Sequence, residues 1–249
     1  MRKGKISLGQ KVVILILLIL IVDQIVKIWV KLNFDVYEQK SVIDGFFQLY
    51  YIENRGMAFG TTLGNGALAK YALSIFRLVA IIGIGYYIFK LLKEKNVHTG
   101  LIYAVGLIFA GATGNLIDGM IYDYVWTVDC NIQWNHAFDR DGNPVFDENG
   151  FVCRPKGFLL GSVVDMFQFT VKWPEGTPFG LGGKQVFGAI WNVADASITF
   201  GVGIIIVRYK AFFRKSKDDD QDKSLSAQEK GEHENESTTD ESSSPKAQS

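Results

Sequence analysis

The chain lacks an excess of either charge. Its 26 basic and 26 acidic residues leave a formal net charge of zero, so no overall basic surface is available for nucleic acid. It is poor in cysteine, with Cys130 and Cys153 alone, which limits any disulfide framework to one bond. The acidic stretch Asp139-Arg-Asp-Gly-Asn-Pro-Val-Phe-Asp-Glu-Asn-Gly150 lacks the register of a calcium loop. Arg2, Lys3, Lys5 and Lys11 precede an apolar run, as in a secretory signal. No small-residue cleavage site follows Val22, however, and apolar sequence resumes from Ile25 to Val30, so the run is expected to be retained. Residues 216–249 contain no aromatic side chain and are rich in Ser, Asp, Glu, Lys and Gln. Such a segment cannot bury enough apolar surface to fold.

What is abundant is apolar length. Hydrophobic residues make up 48% of the chain and come in long runs instead of alternating. Four transmembrane helices are predicted, at residues 12–30, 70–89, 99–118 and 188–207. Basic residues flank the start of the first run, the link between the second and third, and the end of the fourth. The positive-inside rule then puts residues 1–11 and the tail, residues 211–249, in the cytoplasm. The membrane domain spans residues 12–210, with segments 32–69 and 119–187 outside. Phe46 to Glu53 reads as a strand because of its aromatics. The glycines and Asn of Asn54-Arg-Gly-Met-Ala-Phe-Gly60 suit a turn. Gly106, Ala110 and Gly114 form a ladder of small residues that lets helices approach closely.

Polar residues inside these runs are the candidates for function. An Asp at the centre of a membrane helix costs roughly 2.5–3.5 kcal/mol on insertion scales, so it is expected to face a protein interior with a partner. Asp195 interrupts the fourth run, about two turns below its outer end, and Asn192 lies three residues before it on the same face. Asp165 interrupts the apolar stretch from Gly157 to Val171. Two carboxyls in one low-dielectric site share a proton, giving an acid and a base. Asp23 and Lys27, at i,i+4 spacing, read as a structural ion pair near the outer end of the first helix. Asn115 and Asp118 read as the polar end of the third.

Taken together, Asp23-x-x-x-Lys27, Asn54-Arg-Gly-Met-Ala-Phe-Gly60, Gly114-Asn-Leu-Ile-Asp118, Val163-Val-Asp165-Met-Phe and Trp191-Asn-Val-Ala-Asp-Ala-Ser197 resemble the lipoprotein signal peptidase family, also called signal peptidase II. The resemblance covers residues 12–207, apart from much of 123–157. It implies a mainly α membrane protein of four transmembrane helices, with a small extracytoplasmic β-cradle and an inserted outer subdomain. It further implies an aspartyl endopeptidase of the bacterial cytoplasmic membrane. Such an enzyme cuts diacylglyceryl-modified prolipoproteins before the lipidated Cys and uses neither metal nor cofactor. Asp165 and Asp195 correspond to the catalytic pair, and Asn54, Gly56, Asn115 and Asn192 to the polar surround. Asp23, Lys27, Ala58, Phe59, Gly60, Gly114, Asp118 and Ala194 correspond to supporting positions. The implied partners are the prolipoprotein and membrane lipid.

Two departures stand out. Gly119 occupies a position where the family commonly has Arg, for which Arg55 is a candidate replacement, and the segment from Gly119 to Asp165 is long. A small ion-coupled transporter is the alternative class, with Asp23, Asp118 and Asp195 as titrating sites; four runs without an evident repeat weigh against it. A presenilin-like protease also uses two Asp, and Tyr122-Asp123 is present, but its Gly-x-Gly-Asp is not. A non-catalytic assembly factor is a further alternative. Cys130 and Cys153 fall on the outer, oxidising side, so a disulfide is expected, with two free thiols as the alternative.

Overall fold

The computed structural model describes residues 6–55, 67–139, 141–148 and 150–213. The first helix, α1 (Leu8–Asn33), opens on a capping box in which Ser7 and Gln10 exchange side-chain and backbone hydrogen bonds. It is inside out relative to a soluble helix: Asp23 and Lys27 are buried, whereas Leu17, Leu18, Ile21 and Ile25 are about half exposed. That inversion suits lipid as the surrounding solvent. A two-strand ribbon follows, β1 (Gln39–Ile43) and β2 (Phe47–Asn54). Next come α2 (Ala67–Lys93) and α3 (Thr99–Val125). Helices α1, α2 and α3 are each long and apolar enough to cross a membrane.

Helix α3 is the packing centre, lying against α1, α2 and the last long helix, α4 (Val193–Val207). Small residues make this possible. A Cβ on Gly111 would lie 2.2 Å from the Ala194 carbonyl oxygen, and one on Gly114 would lie 2.8 Å from the Asp23 carboxylate. The expected ladder is therefore only part of the contact surface. Gly106 faces α1 at Val12, Gly114 faces both α1 and α4, and Gly111 brings α4 closest.

The helix boundaries differ from expectation, and α1, at Leu8–Asn33, overruns 12–30 at both ends. Helix α3 does not end at Asp118 but continues to Val125, with Tyr122 and Asp123 buried. Asn115 and Asp118 are therefore interior to the helix, because its last turns are covered by the sheet and by the segment after it. Helix α2 begins at Ala67 and ends at Lys93, beyond 70–89 on both sides. Helix α4 starts at Val193, not 188, because Ile190 and Trp191 form a strand, β6. Pairing of Ile190 with Gln168 and of Trp191 with Phe167 commits that backbone to a sheet. Helix α4 is consequently 15 residues, shorter than the ~20 of a full apolar span. Asp195 lies in its first turn, not two turns in.

The sheet is antiparallel in the order β1-β2-β5-β6, with β5 running Val163–Phe169. Its registers set Ile52 opposite Asp165 and Asn54 opposite Val163. Beneath it, Val30, Phe34, Tyr51, Tyr122, Val164 and Met166 form a core shared by α1, α3 and the strands. Between α3 and β5 lies a segment containing the hairpin β3 (Phe146–Asp147) and β4 (Gly150–Phe151). A Cys130–Cys153 disulfide closes it, with Cα atoms 5.2 Å apart, and His136 stacks on Phe151. From Arg208 the described residues belong to a separate unit and include a short helix, α5 (Tyr209–Phe212).

Candidate active site

Asn192 organises the site. It stands at the junction of β6 and α4 and caps the helix: its Oδ1 accepts the Asp195 backbone N–H at 2.9 Å, and its own backbone N–H donates to Asp195 Oδ2 at 3.2 Å. This reciprocal pair holds the Asp195 carboxylate over the first turn, where unpaired N–H groups favour negative charge. The Asn192 Nδ2 turns the other way and donates to Asp165 Oδ1 at 2.6 Å. One asparagine thus bridges a carboxyl on a strand and a carboxyl on a helix.

Each carboxyl has a second amide donor. Asn54, at the end of β2, donates to Asp165 Oδ2 at 2.9 Å, and Asn115 of α3 donates to Asp195 Oδ1 at 2.8 Å. Asp165 is 1% exposed. Burial, and next the charge of Asp195, push its carboxyl up to about 7, against the hydrogen bonds from Asn54 and Asn192, which lower it.

A buried ionic layer fixes the amides. The Lys27 ammonium contacts Asp23 and Asp118, each at 2.8 Å, and donates to Asn115 Oδ1 at 3.0 Å. With Oδ1 also accepting from Asn192 Nδ2 at 3.1 Å, the Asn115 amide has one usable orientation, its NH₂ toward Asp195. Asp23 reaches further and accepts the Ala194 backbone N–H at 2.9 Å, satisfying another N–H at the start of α4. Asp118 accepts from Gln24 Nε2 at 2.9 Å and lies 3.4 Å from the Val164 N–H. The expected Asp23–Lys27 pair is therefore one side of a larger network that joins α1, α3, α4 and β5.

The profile of the Signal peptidase (SPase) II family matches residues 15–211. The chain belongs to that family. A lipoprotein signal peptidase of Porphyromonas gingivalis is 35% identical over 211 residues, covering 83% of this chain and 85% of its own. One of Fusobacterium nucleatum subsp. nucleatum is 30% identical over 217 residues, 86% and 96% of the two chains. One of Amoebophilus asiaticus is 29% identical over 200 residues, 78% and 75%. A solved structure described as a bacterial membrane enzyme is 23% identical, with a TM-score of 0.49, and covers 83% of this chain and 92% of that one.

For this signal peptidase II family member, an integral membrane peptidase, the structure brings together Asn54, Asn115, Asp165, Asn192 and Asp195. Asp23, Lys27, Asp118, Gly114 and Ala194 pack directly behind them. Gly56, Ala58, Phe59 and Gly60 lie outside the described residues. Three further contributors were not among the expected site residues. Gln24 bonds Asp23, Asp118 and Tyr122 together; its place beside Asp23 was the available clue. Gly111 sets the α3–α4 distance. Arg77, on the inward stripe of α2 with Lys70 and Ser74, lies in electrostatic reach of Asp195 and Asp165. A charged residue inside an apolar run was its signal. Gly119 itself faces Ser74, one turn from Arg77, with 3.9 Å between a built Cβ and the Ser74 hydroxyl.

Proposed function

We propose that this chain is an aspartyl endopeptidase that removes the signal peptide from diacylglyceryl-modified prolipoproteins, with Asp165 and Asp195 as its catalytic residues. The observation that carries the reading is the pair of carboxyls joined through Asn192, that of Asp165 buried and that of Asp195 partly so. Water between them is the nucleophile. Asp195 accepts two N–H donors at a helix start and acts as the base. Asp165, whose carboxyl is raised by burial, carries the shared proton. The base takes a proton from water as it attacks the scissile carbonyl beside the lipidated Cys. The acid hydrogen-bonds the carbonyl oxygen, and protonation of the leaving amine completes cleavage. Asn54 and Asn115 keep the two carboxyls oriented while protons move.

The ends of α1, α3 and α4 nearest the sheet gather the site, and the disulfide-closed segment lies on that side. A disulfide belongs to an oxidising compartment, which supports an extracytoplasmic site in the bacterial cytoplasmic membrane, with residues 1–11 and 211–249 cytoplasmic. The test is cleavage of a diacylglyceryl prolipoprotein by the purified protein in lipid. Asp165→Asn and Asp195→Asn should each abolish turnover while folded protein accumulates in the membrane. Near-native turnover by either variant refutes the assignment.

A further inference from the structure

A second cluster of ionisable groups lies beside the candidate active site and takes no part in the proposed chemistry. Lys70, in the first turn of α2, is 5% exposed. Its ammonium donates to the Arg55 backbone carbonyl at 2.7 Å, which ties it to the residue after Asn54. Arg154 approaches from the disulfide-closed segment. It donates to Asp123 through Nη1 and Nη2, at 2.5 and 3.1 Å, and from Nη2 to the Leu160 carbonyl at 3.0 Å. Lys70 lies in electrostatic range of Arg55, Arg77 and Arg154, and the carboxylate that acts on it, Asp123, is already held by Arg154.

Three features make this cluster a receptor for negative charge. Helix α2 has no acidic residue in its first turn, so a cation stands where the helix field favours an anion. The connection preceding the helix, residues 56–66, contains no Asp or Glu that could neutralise it. Packing also turns Lys70 inward, whereas Leu68 and Phe76 of the same helix face outward at 81% and 70% exposure. A lipid headgroup would approach from that outer surface. A polypeptide lying in the active site reaches the inward face, because Arg55 directly follows Asn54 and Asn54 touches Asp165. The cluster lies at the helix end nearest the sheet, and the mature part of a substrate leaves the membrane in that direction.

We propose that Lys70, with Arg55 and Arg154, forms a subsite for acidic side chains on the mature side of the scissile bond, just after the lipidated Cys. The inference rests on the peptidase reading above. It makes the enzyme selective for substrates whose mature sequence begins with carboxylates. An incoming carboxylate gives Lys70 an ion-pair partner, which no described residue supplies within salt-bridge distance.

The experiment uses the full chain in neutral phosphatidylcholine vesicles and two synthetic diacylglyceryl prolipopeptides, identical except for Asp-Asp or Asn-Asn immediately after the lipidated Cys. The Asp-Asp substrate should show a kcat/KM about tenfold higher, the equivalent of one charge-assisted hydrogen bond, carried mainly by KM. Lys70→Gln should bring the two substrates to within about twofold, while Lys70→Arg keeps the preference. Cleavage of the Asn-Asn substrate by Lys70→Gln at the native rate reports that the variant is folded. Equal cleavage of both substrates by the native enzyme, or a preference that survives Lys70→Gln combined with Arg55→Gln, overturns the subsite. So does a rate that follows added phosphatidylglycerol through Lys70 without distinguishing the substrates, which would assign the cluster to lipid. Cleavage of neither substrate overturns the peptidase reading and the subsite with it.

Discussion

Removing the Lys27 ammonium should be the most damaging single change away from the two carboxyls. Its three donor hydrogens are matched by three acceptors, Asp23 Oδ2, Asp118 Oδ2 and Asn115 Oδ1. Both side-chain ion-pair partners are at most 1% exposed, so water does not screen them. Lys27→Met preserves length and apolar stem but leaves two carboxylates facing each other across the space the ammonium filled. Breaking a buried pair by deleting one partner costs about 3–5 kcal/mol. For a domain of this size that is a fall in Tm on the order of 10 °C. Thermal unfolding of the purified variant in detergent gives the number directly. A second substitution separates charge from packing: Asp118→Asn added to Lys27→Met should return about half of the lost stability, since one of the two stranded charges is gone. Turnover should fall as well, because the Asn115 amide loses the contact that keeps its NH₂ on Asp195. A Lys27→Met protein within about 1 kcal/mol of native stability would refute the reasoning, as such a loss is ordinary for an exposed pair.

Other outcomes follow from the same geometry. Activity should decline as pH rises through about 7, where Asp165 gives up the proton it carries; Asn54→Ala removes a hydrogen bond that lowers this value and should move the alkaline limb of a kcat/KM profile upward. Because the folded-state value is raised, the stabilising contribution of Asp165 is complete below its ordinary value of about 4 and is lost as pH climbs through 7, which thermal unfolding across that range reads out. Gly111→Ala forces a methyl against the Ala194 carbonyl and should cost about 1–3 kcal/mol, with a loss of turnover as the start of α4 shifts. Replacing both cysteines by Ser should lower stability by about 3 kcal/mol in the chain-entropy model yet leave kcat close to native, as measured on the folded fraction.

The helices were legible because lipid as a solvent demands long apolar runs, and that signal does not depend on tertiary contacts. The strand from Phe46 was legible from its aromatics and lies within one residue of β2. The carboxyls stood out for the opposite reason, as polar groups where apolar ones were expected. The split of the last apolar run into β6 and α4 was not legible. Ala189-Ile-Trp reads as helix or strand with equal ease, and the choice is made by β5, a partner over twenty positions earlier in the chain. The end of α3 was misplaced likewise. Asn115 and Asp118 look like a polar terminus until Lys27, from another helix, is available to neutralise them. Residues whose role lies in distance, such as Gly111, or in holding other side chains, such as Gln24, leave no signature in spacing.

That split has a consequence for how the site is built. Had residues 188–207 formed one continuous helix, Asp195 would stand within a wall of satisfied backbone hydrogen bonds, with no free N–H nearby to hold a carboxylate. Ending the strand at Trp191 and starting the helix at Val193 leaves the N–H groups of the first turn unpaired. The site uses two of them at once: Asp195 N–H goes to the Asn192 side chain and Ala194 N–H to Asp23. The first fixes the angle between the helix and Asp165, which the same asparagine holds. The second ties the helix start to the ionic layer around Lys27. The separation of the two carboxyls is thus set by one asparagine and by a carboxylate on another helix, both acting on the same turn. Any change that lengthens α4 backwards into β6 would remove both constraints together.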